Sequence, residues 1–169
     1  MALVASAEAG LNAIQRGATI LQLRAPYLTA REVEREAKAL VPKASVPVVV
    51  SSRCDVALAA GAAGVNLPER DISVADARTL MGQRLVGRSV HSIESAVTAE
   101  REGADYVIFG PVWPSPSHAD QKSHGIGALE DVARAVRIPV LAIGGVTSER
   151  ADECAKVGAA GYAAITLFR

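Results

Sequence analysis

Seven short apolar runs, helix-like segments between them and a β-α repeat of roughly 20 residues predict an α/β fold with a parallel sheet rolled into a barrel. The runs are Thr19–Arg24, Val46–Ser51, Gly64–Leu67, Leu85–Val90, Asp105–Gly110, Pro139–Gly144 and Gly161–Thr166. Most are continuously apolar rather than alternating, which suits strands buried on both faces. No Gly-x-Gly-x-x-Gly follows a strand, so a dinucleotide-binding sheet has no support.

In chain order, Met1–Gly17 reads as a helix leading into the first run. Helices are then expected at Ala30–Leu40, Cys54–Ala60, Val74–Met81, Ile93–Arg101, Leu129–Val136 and Ser148–Val157. Thr29, Ser73, Ser92 and Thr147 suit N-caps, because a short side-chain oxygen there accepts from a free helical N–H. Ser92 is followed by Ser95 rather than Glu or Gln, so its capping box reads as incomplete. Gly17, Gly61, Gly103 and Gly158 each precede an alanine between a helix and a strand, where a left-handed turn ends the helix. A full barrel has eight strands, and this reading supplies seven. The expectation is one domain over residues 1–169, a (βα)8 TIM barrel in which the first strand and last helix are not evident. Its open edge would expose unpaired backbone and favour a homo-oligomer.

Of the 169 residues, 50% are apolar but only 4% aromatic, so the core is built of Ala, Val, Leu and Ile. Eighteen basic residues balance eighteen acidic ones. Without a basic excess, nucleic acid is not expected as a partner, although a local pocket for one small anion remains open. Cys54 and Cys154 match no metal spacing. With no membrane-length apolar run and no signal-peptide pattern, a reduced cytoplasmic setting is expected.

Active sites of such barrels lie at the C-terminal strand ends. The clearest candidate is Ile143-Gly144-Gly145-Val146-Thr147 with Ile165-Thr166. Glycines after a strand let backbone N–H groups reach an anion without a Cβ in the way. The same pair also suits a plain strand-to-helix turn. The stretch from Phe109 to about Gly127 is the longest irregular one; Ser115, Ser117 and His118 offer donors to an anion, or simply decorate a surface loop. Gln22 and Arg24 share one face of their strand. Arg24 needs an anionic partner, either a ligand phosphate or Asp55 or Asp71. Ser89 and His91 end another strand, and His91 either titrates in catalysis or caps the loop.

These motifs converge. Leu21-Gln22-Leu23-Arg24, Arg53-Cys54-Asp55-Val56-Ala57-Leu58-Ala59, Gly87-Arg88-Ser89-Val90-His91-Ser92, Gly103-Ala104-Asp105-Tyr106-Val107-Ile108-Phe109-Gly110-Pro111 and Ile138–Gly145 occur in order. From about Gly10 onward the chain resembles the thiamine phosphate synthase and TenI (thiazole tautomerase) family. The resemblance implies a (βα)8 barrel that holds a thiazole phosphate where Gly145, Ile165 and Thr166 stand. The synthase branch joins a pyrimidine diphosphate to the thiazole phosphate with Mg²⁺. Gln22, Arg24, Asp71, Ser89, Ser115 and Ser117 match its pattern, with Asp71 the implied metal ligand.

Four positions depart from the synthase pattern. Pro26 stands for a Lys, Ser51-Ser52 for an Asn-Asp pair, Asn66 for a pyrimidine-contacting His and His118 for a loop Lys. One oxyanion-stabilising group is worth about 2.7–4 kcal/mol, so these losses weigh against diphosphate chemistry. The departures and Leu67-Pro68 resemble the TenI branch, which moves a proton on a thiazole carboxylate phosphate without metal. The acid-base His of that branch is Pro111 here. The resulting expectation is a TenI-like enzyme for a small phosphorylated thiazole. Gly144, Gly145, Ile165, Thr166, Ser115 and Ser117 would bind phosphate; Gln22, Arg24, Ser51 and Asn66 would bind substrate; His118 and Ser89 would act in catalysis, with His91 and His124 as rivals. No cofactor is expected on that reading. The alternatives are a Mg²⁺-dependent thiamine phosphate synthase and a phospho-ligand-binding barrel without catalysis.

Overall fold

The computed structural model of the chain describes residues 1–114 and 122–168. Eight strands and seven α-helices alternate. They run β1 (Ala2–Val4), α1 (Ala7–Gln15), β2 (Leu21–Leu23), α2 (Ala30–Leu40), β3 (Val48–Ser51), α3 (Cys54–Ala59), β4 (Gly64–Leu67) and α4 (Val74–Met81). The second half adds β5 (Leu85–Val90), α5 (Ile93–Arg101), β6 (Tyr106–Phe109), α6 (Gly125–Ala135), β7 (Val140–Ile143), α7 (Ser148–Lys156) and β8 (Gly161–Ala163). All neighbours pair in parallel and in sequence order. No helix of the described residues is long and apolar enough to cross a membrane.

The expected missing first strand is present. Ala2–Val4 pairs with β2, and an Ala2–Ala164 bridge joins it to the far end of the sheet. Leu3 N–H donates to Ala164 O at 3.0 Å and Ala164 N–H donates to Met1 O at 3.1 Å. Three residues carry too little periodicity to be told from the helix beside them. The actual start of α1 is Ser6, whose hydroxyl accepts from Ala9 N–H at 3.2 Å. With that strand in place, the open-edge argument for an oligomer falls away. At the other end, a 3-10 turn at Thr166–Phe168 follows β8, and no α-helix follows it among the described residues.

All four predicted caps form. Ser92 differs from expectation, because Ser95 completes its capping box: the Ser95 hydroxyl accepts from Ser92 N–H at 3.2 Å. A serine reaches back here as a glutamate does at Thr29, where Glu32 accepts at 2.8 Å.

Side chains alternate between lumen and helix layer. Val49, Tyr106, Ile108, Leu141 and Ala163 fill the lumen, while two larger clusters lie between sheet and helices. Asn66 registers with Gly87, and Gly87 with Tyr106. A Cβ on Gly87 would stand 2.1 Å from the Tyr106 ring, so glycine is what lets that ring occupy the lumen. The lower lumen is thus sealed by apolar groups, and polar side chains collect above it.

Candidate active site

A cavity of about 220 Å³ opens at the C-terminal end of the barrel. Its walls include Gln22, Arg24, Ser89, His91, Gly144, Gly145, Ile165 and Thr166. With Leu3 of β1 and Ile108 of β6, which also line it, six strands' ends are brought together by a sheet that no local sequence pattern specifies.

The glycine turn is held from both sides. Val112 N–H donates to Ile143 O at 2.8 Å, and Trp113 N–H donates to Gly144 O at 3.1 Å. Arg150 donates to Gly145 O at 2.7 Å, with its guanidinium 5.0 Å from the Trp113 ring centre. Gly144 and Gly145 have φ of +93° and +64°. A Cβ on Gly144 would stand 2.7 Å from Pro111, and one on Gly145 2.6 Å from Pro114 O. Carbonyls of this turn are thus engaged, whereas the N–H groups of Gly145 and Ile165 donate to no acceptor among the described residues. Both residues line the cavity. Unpaired N–H groups at a positive-φ turn are what an anion needs. Because β8 ends at Ala163 rather than Thr166, Ile165 and Thr166 stand beyond the strand ladder, which frees this edge.

Gln22 and Asn66 are the only buried polar or charged residues among those described. Asn66 donates to Ser89 Oγ at 3.1 Å. Gln22 Oε1 and Asn66 Oδ1 have no partner among the described residues. Buried carbonyl oxygens are normally paired, so each orphan marks a place for a donor; Gln22 lines the cavity, whereas Asn66 is not part of its wall. Gln22 and Arg24 do not share an environment. Gln22 is buried in the lumen, while Arg24 is exposed at the cavity mouth. Neither carboxylate weighed for Arg24 is its partner: Arg53 binds Asp55, and Asp71 accepts from the Ser52 hydroxyl and from Ile72 N–H at 2.8 Å. Ser51 registers with Asn66 on the adjacent strand but does not reach the cavity wall.

The Ser51-Ser52 position bears on the metal. The Asp71 carboxylate is occupied by Ser52 and by its own turn. No group of three or more His, Cys, Asp or Glu side chains that could hold a metal ion occurs among the described residues. Mg²⁺ is held by one or two carboxylates together with substrate phosphates rather than by a full protein cage, so Asp71 is the residue that would hold the ion the synthase resemblance implies.

Ser115, Ser117 and His118 lie outside the described residues. Of the two rival histidines, His91 lines the cavity. His124 packs its ring 5.2 Å from that of Phe109 and is not part of the wall. Sequence reasoning missed Glu69, whose carboxylate lies 2.7 Å from His91 Nδ1, and the Trp113–Arg150 clamp. Neither has a local signal. Glu69 and His91 are 22 residues apart and meet only because β4 and β5 are neighbours.

Known proteins resemble this chain in sequence and fold. Residues 4–168 match the family model described as thiamine monophosphate synthase. A protein of Chlorobium luteolum named thiamine-phosphate synthase is 42% identical over 160 residues, spanning 92% of this chain and 76% of that one. One of the same name from Chloroflexus aurantiacus is 37% identical over 158 residues, with 91% and 73% covered. The structure of thiamine phosphate pyrophosphorylase from Pyrococcus furiosus superimposes with a TM-score of 0.88 at 33% identity, covering 98% of this chain and 83% of that one. With nearly its whole length matched by the family model and by these relatives, the chain belongs to the thiamine monophosphate synthase family.

Proposed function

We propose that the cavity binds a thiazole phosphate and that the chain joins it to a pyrimidine diphosphate, as a thiamine-phosphate synthase. The observation that carries the ligand is the pair of N–H groups at Gly145 and Ile165 that have no acceptor among the described residues and line one cavity with Arg24. They match a phosphate monoester in charge and in hydrogen-bonding need. The names of the relatives support the reaction. In it, the ring nitrogen attacks the pyrimidine methylene carbon as the bond to diphosphate breaks. Gln22 Oε1 offers an acceptor for the pyrimidine's amino group, and Arg24 meets negative charge on the departing group.

A second reading is favoured by one specific observation. Ser51-Ser52 stands where the synthase resemblance puts an Asn-Asp pair, and the Asp71 carboxylate is hydrogen-bonded by Ser52. That favours proton transfer on a thiazole carboxylate phosphate, the TenI-type reaction, which needs no diphosphate site. One experiment separates them. Purified protein is given both substrates with Mg²⁺, and diphosphate and thiamine phosphate are quantified. Release above background supports the synthase; no release, with thiazole phosphate bound, overturns it in favour of the proton-transfer reading.

A further inference from the structure

The resemblance to the TenI branch implies an acid-base histidine after Phe109-Gly110, where this chain has Pro111, and a different imidazole, His91, stands in the cavity wall. His91 follows β5, and Glu69 lies in the turn after β4, so both sit at the C-terminal ends of adjacent strands. Glu69 grips His91 twice. Its Oε1 accepts the His91 backbone N–H at 3.2 Å, and its Oε2 lies 2.7 Å from Nδ1. A carboxylate only accepts, so Nδ1 carries the hydrogen and donates, leaving a lone pair on Nε2. Nε2 has no hydrogen-bond partner among the described residues, and the ring lines the cavity with Ser89. Burial pushes the Glu69 carboxyl up, but hydrogen bonds from Ser95 and His91 outweigh it and hold the group below its ordinary value. The other groups around the ring are His124, 6.4 Å away between ring centres, Ser95 on α5 and Arg24 across the cavity.

We propose that His91 and Glu69 form an acid-base dyad, with His91 Nε2 as the group that moves protons on the bound thiazole. Glu69 is the positioning residue: it fixes the tautomer and balances the imidazolium that forms. Neutral Nε2 takes a proton from one ring position, and the imidazolium returns a proton to another. Only that hydrogen changes place, and nothing is oxidised or reduced. The inference rests on the second, proton-transfer reading of the site and on the ligand's being a thiazole phosphate.

Two measurements test it. Calorimetry gives the Kd for thiazole phosphate. Incubation of the thiazole carboxylate phosphate in deuterated water, followed by mass spectrometry, gives the exchange rate. H91A should slow exchange about 10²–10⁴-fold while leaving Kd within about threefold, and added imidazole should restore part of the rate. E69Q should lower kcat roughly tenfold or more with Kd unchanged. H91Q, with its fold checked by circular dichroism, guards against a variant that merely unfolds, and should be as slow as H91A. Wild-type exchange in H91A and H91Q, or a rate loss matched by lost binding, overturns the dyad. Wild-type protein that binds thiazole phosphate but exchanges no deuterium overturns the dyad alone. Absence of binding overturns both the dyad and the ligand.

Discussion

Gly145→Ala tests the anion site most directly. At φ +64° an alanine is held in the left-handed region, which costs about 1–2 kcal/mol. Its Cβ would also stand 2.6 Å from Pro114 O and 2.8 Å from Trp113 Cβ, so the turn or the facing loop must move. That motion displaces the Gly145 N–H, which has no acceptor among the described residues. A hydrogen bond to a charged group is worth about 1.5–3 kcal/mol, so Kd for thiazole phosphate should rise roughly 10- to 150-fold. Stability should fall too, by roughly 2–4 °C in Tm for each kcal/mol in a chain of this size. The control is Gly17→Ala. Its φ of +88° carries the same conformational penalty, but no atom lies within 4 Å of the added Cβ, and the site is remote. G17A should lower Tm less than G145A and leave Kd unchanged. Calorimetry and thermal melts of the two variants give both quantities. Wild-type affinity in G145A would refute the anion site, and equal Tm losses would refute the clash.

Arg24→Ala should weaken thiazole phosphate binding about tenfold without moving Tm, because Arg24 is exposed and pairs with no carboxylate among the described residues; salt titration should show a smaller dependence in the variant. Tyr106→Phe should melt at or above the wild-type temperature, since the buried hydroxyl has no partner among the described residues and its removal leaves the ring above Gly87. Gly87→Ala should lower stability by about 1–3 kcal/mol through overpacking, read by urea denaturation. For pH, the Arg53 hydrogen bond holds Asp55 down to about 2 from an ordinary 3.8. A depressed carboxyl stabilises the fold fully above 3.8 and loses that contribution as pH falls toward 2. Asp55→Asn should therefore cost a small amount of Tm at pH 7, the pair being exposed, and the gap to wild type should close by about pH 2.

The barrel was legible because its strands are continuous Val, Leu and Ile runs and its helices begin on Ser or Thr. Ala2–Val4 was not, because a three-residue strand is defined by its partners at β2 and Ala164 rather than by its own pattern. Gly144, Gly145, Ile165 and Thr166 could be read from position at strand ends, and they do share one cavity. Arg24 lies one pleat from Gln22, yet the strand ends between them, which separates an exposed cation from a buried amide. Glu69 was illegible for the opposite reason: it looks like one more turn carboxylate until the sheet sets it beside His91.

The bridge between Ala2 and Ala164 also sets an order of events in folding. β1 pairs with β2 soon after both are made, but its other neighbour, Ala164, follows only after seven intervening helices. Closing a loop of this length carries an entropic term that grows only as the logarithm of its span, so the seam is slow to find rather than weak once found. Ile165 and Thr166 follow directly on the seam, opposite the glycine turn after β7. Competence to bind therefore depends on that seam being closed. A phosphate bridging the two turns would hold the seam shut by mass action, so ligand should protect the first strand from hydrogen exchange more than it protects the middle of the barrel.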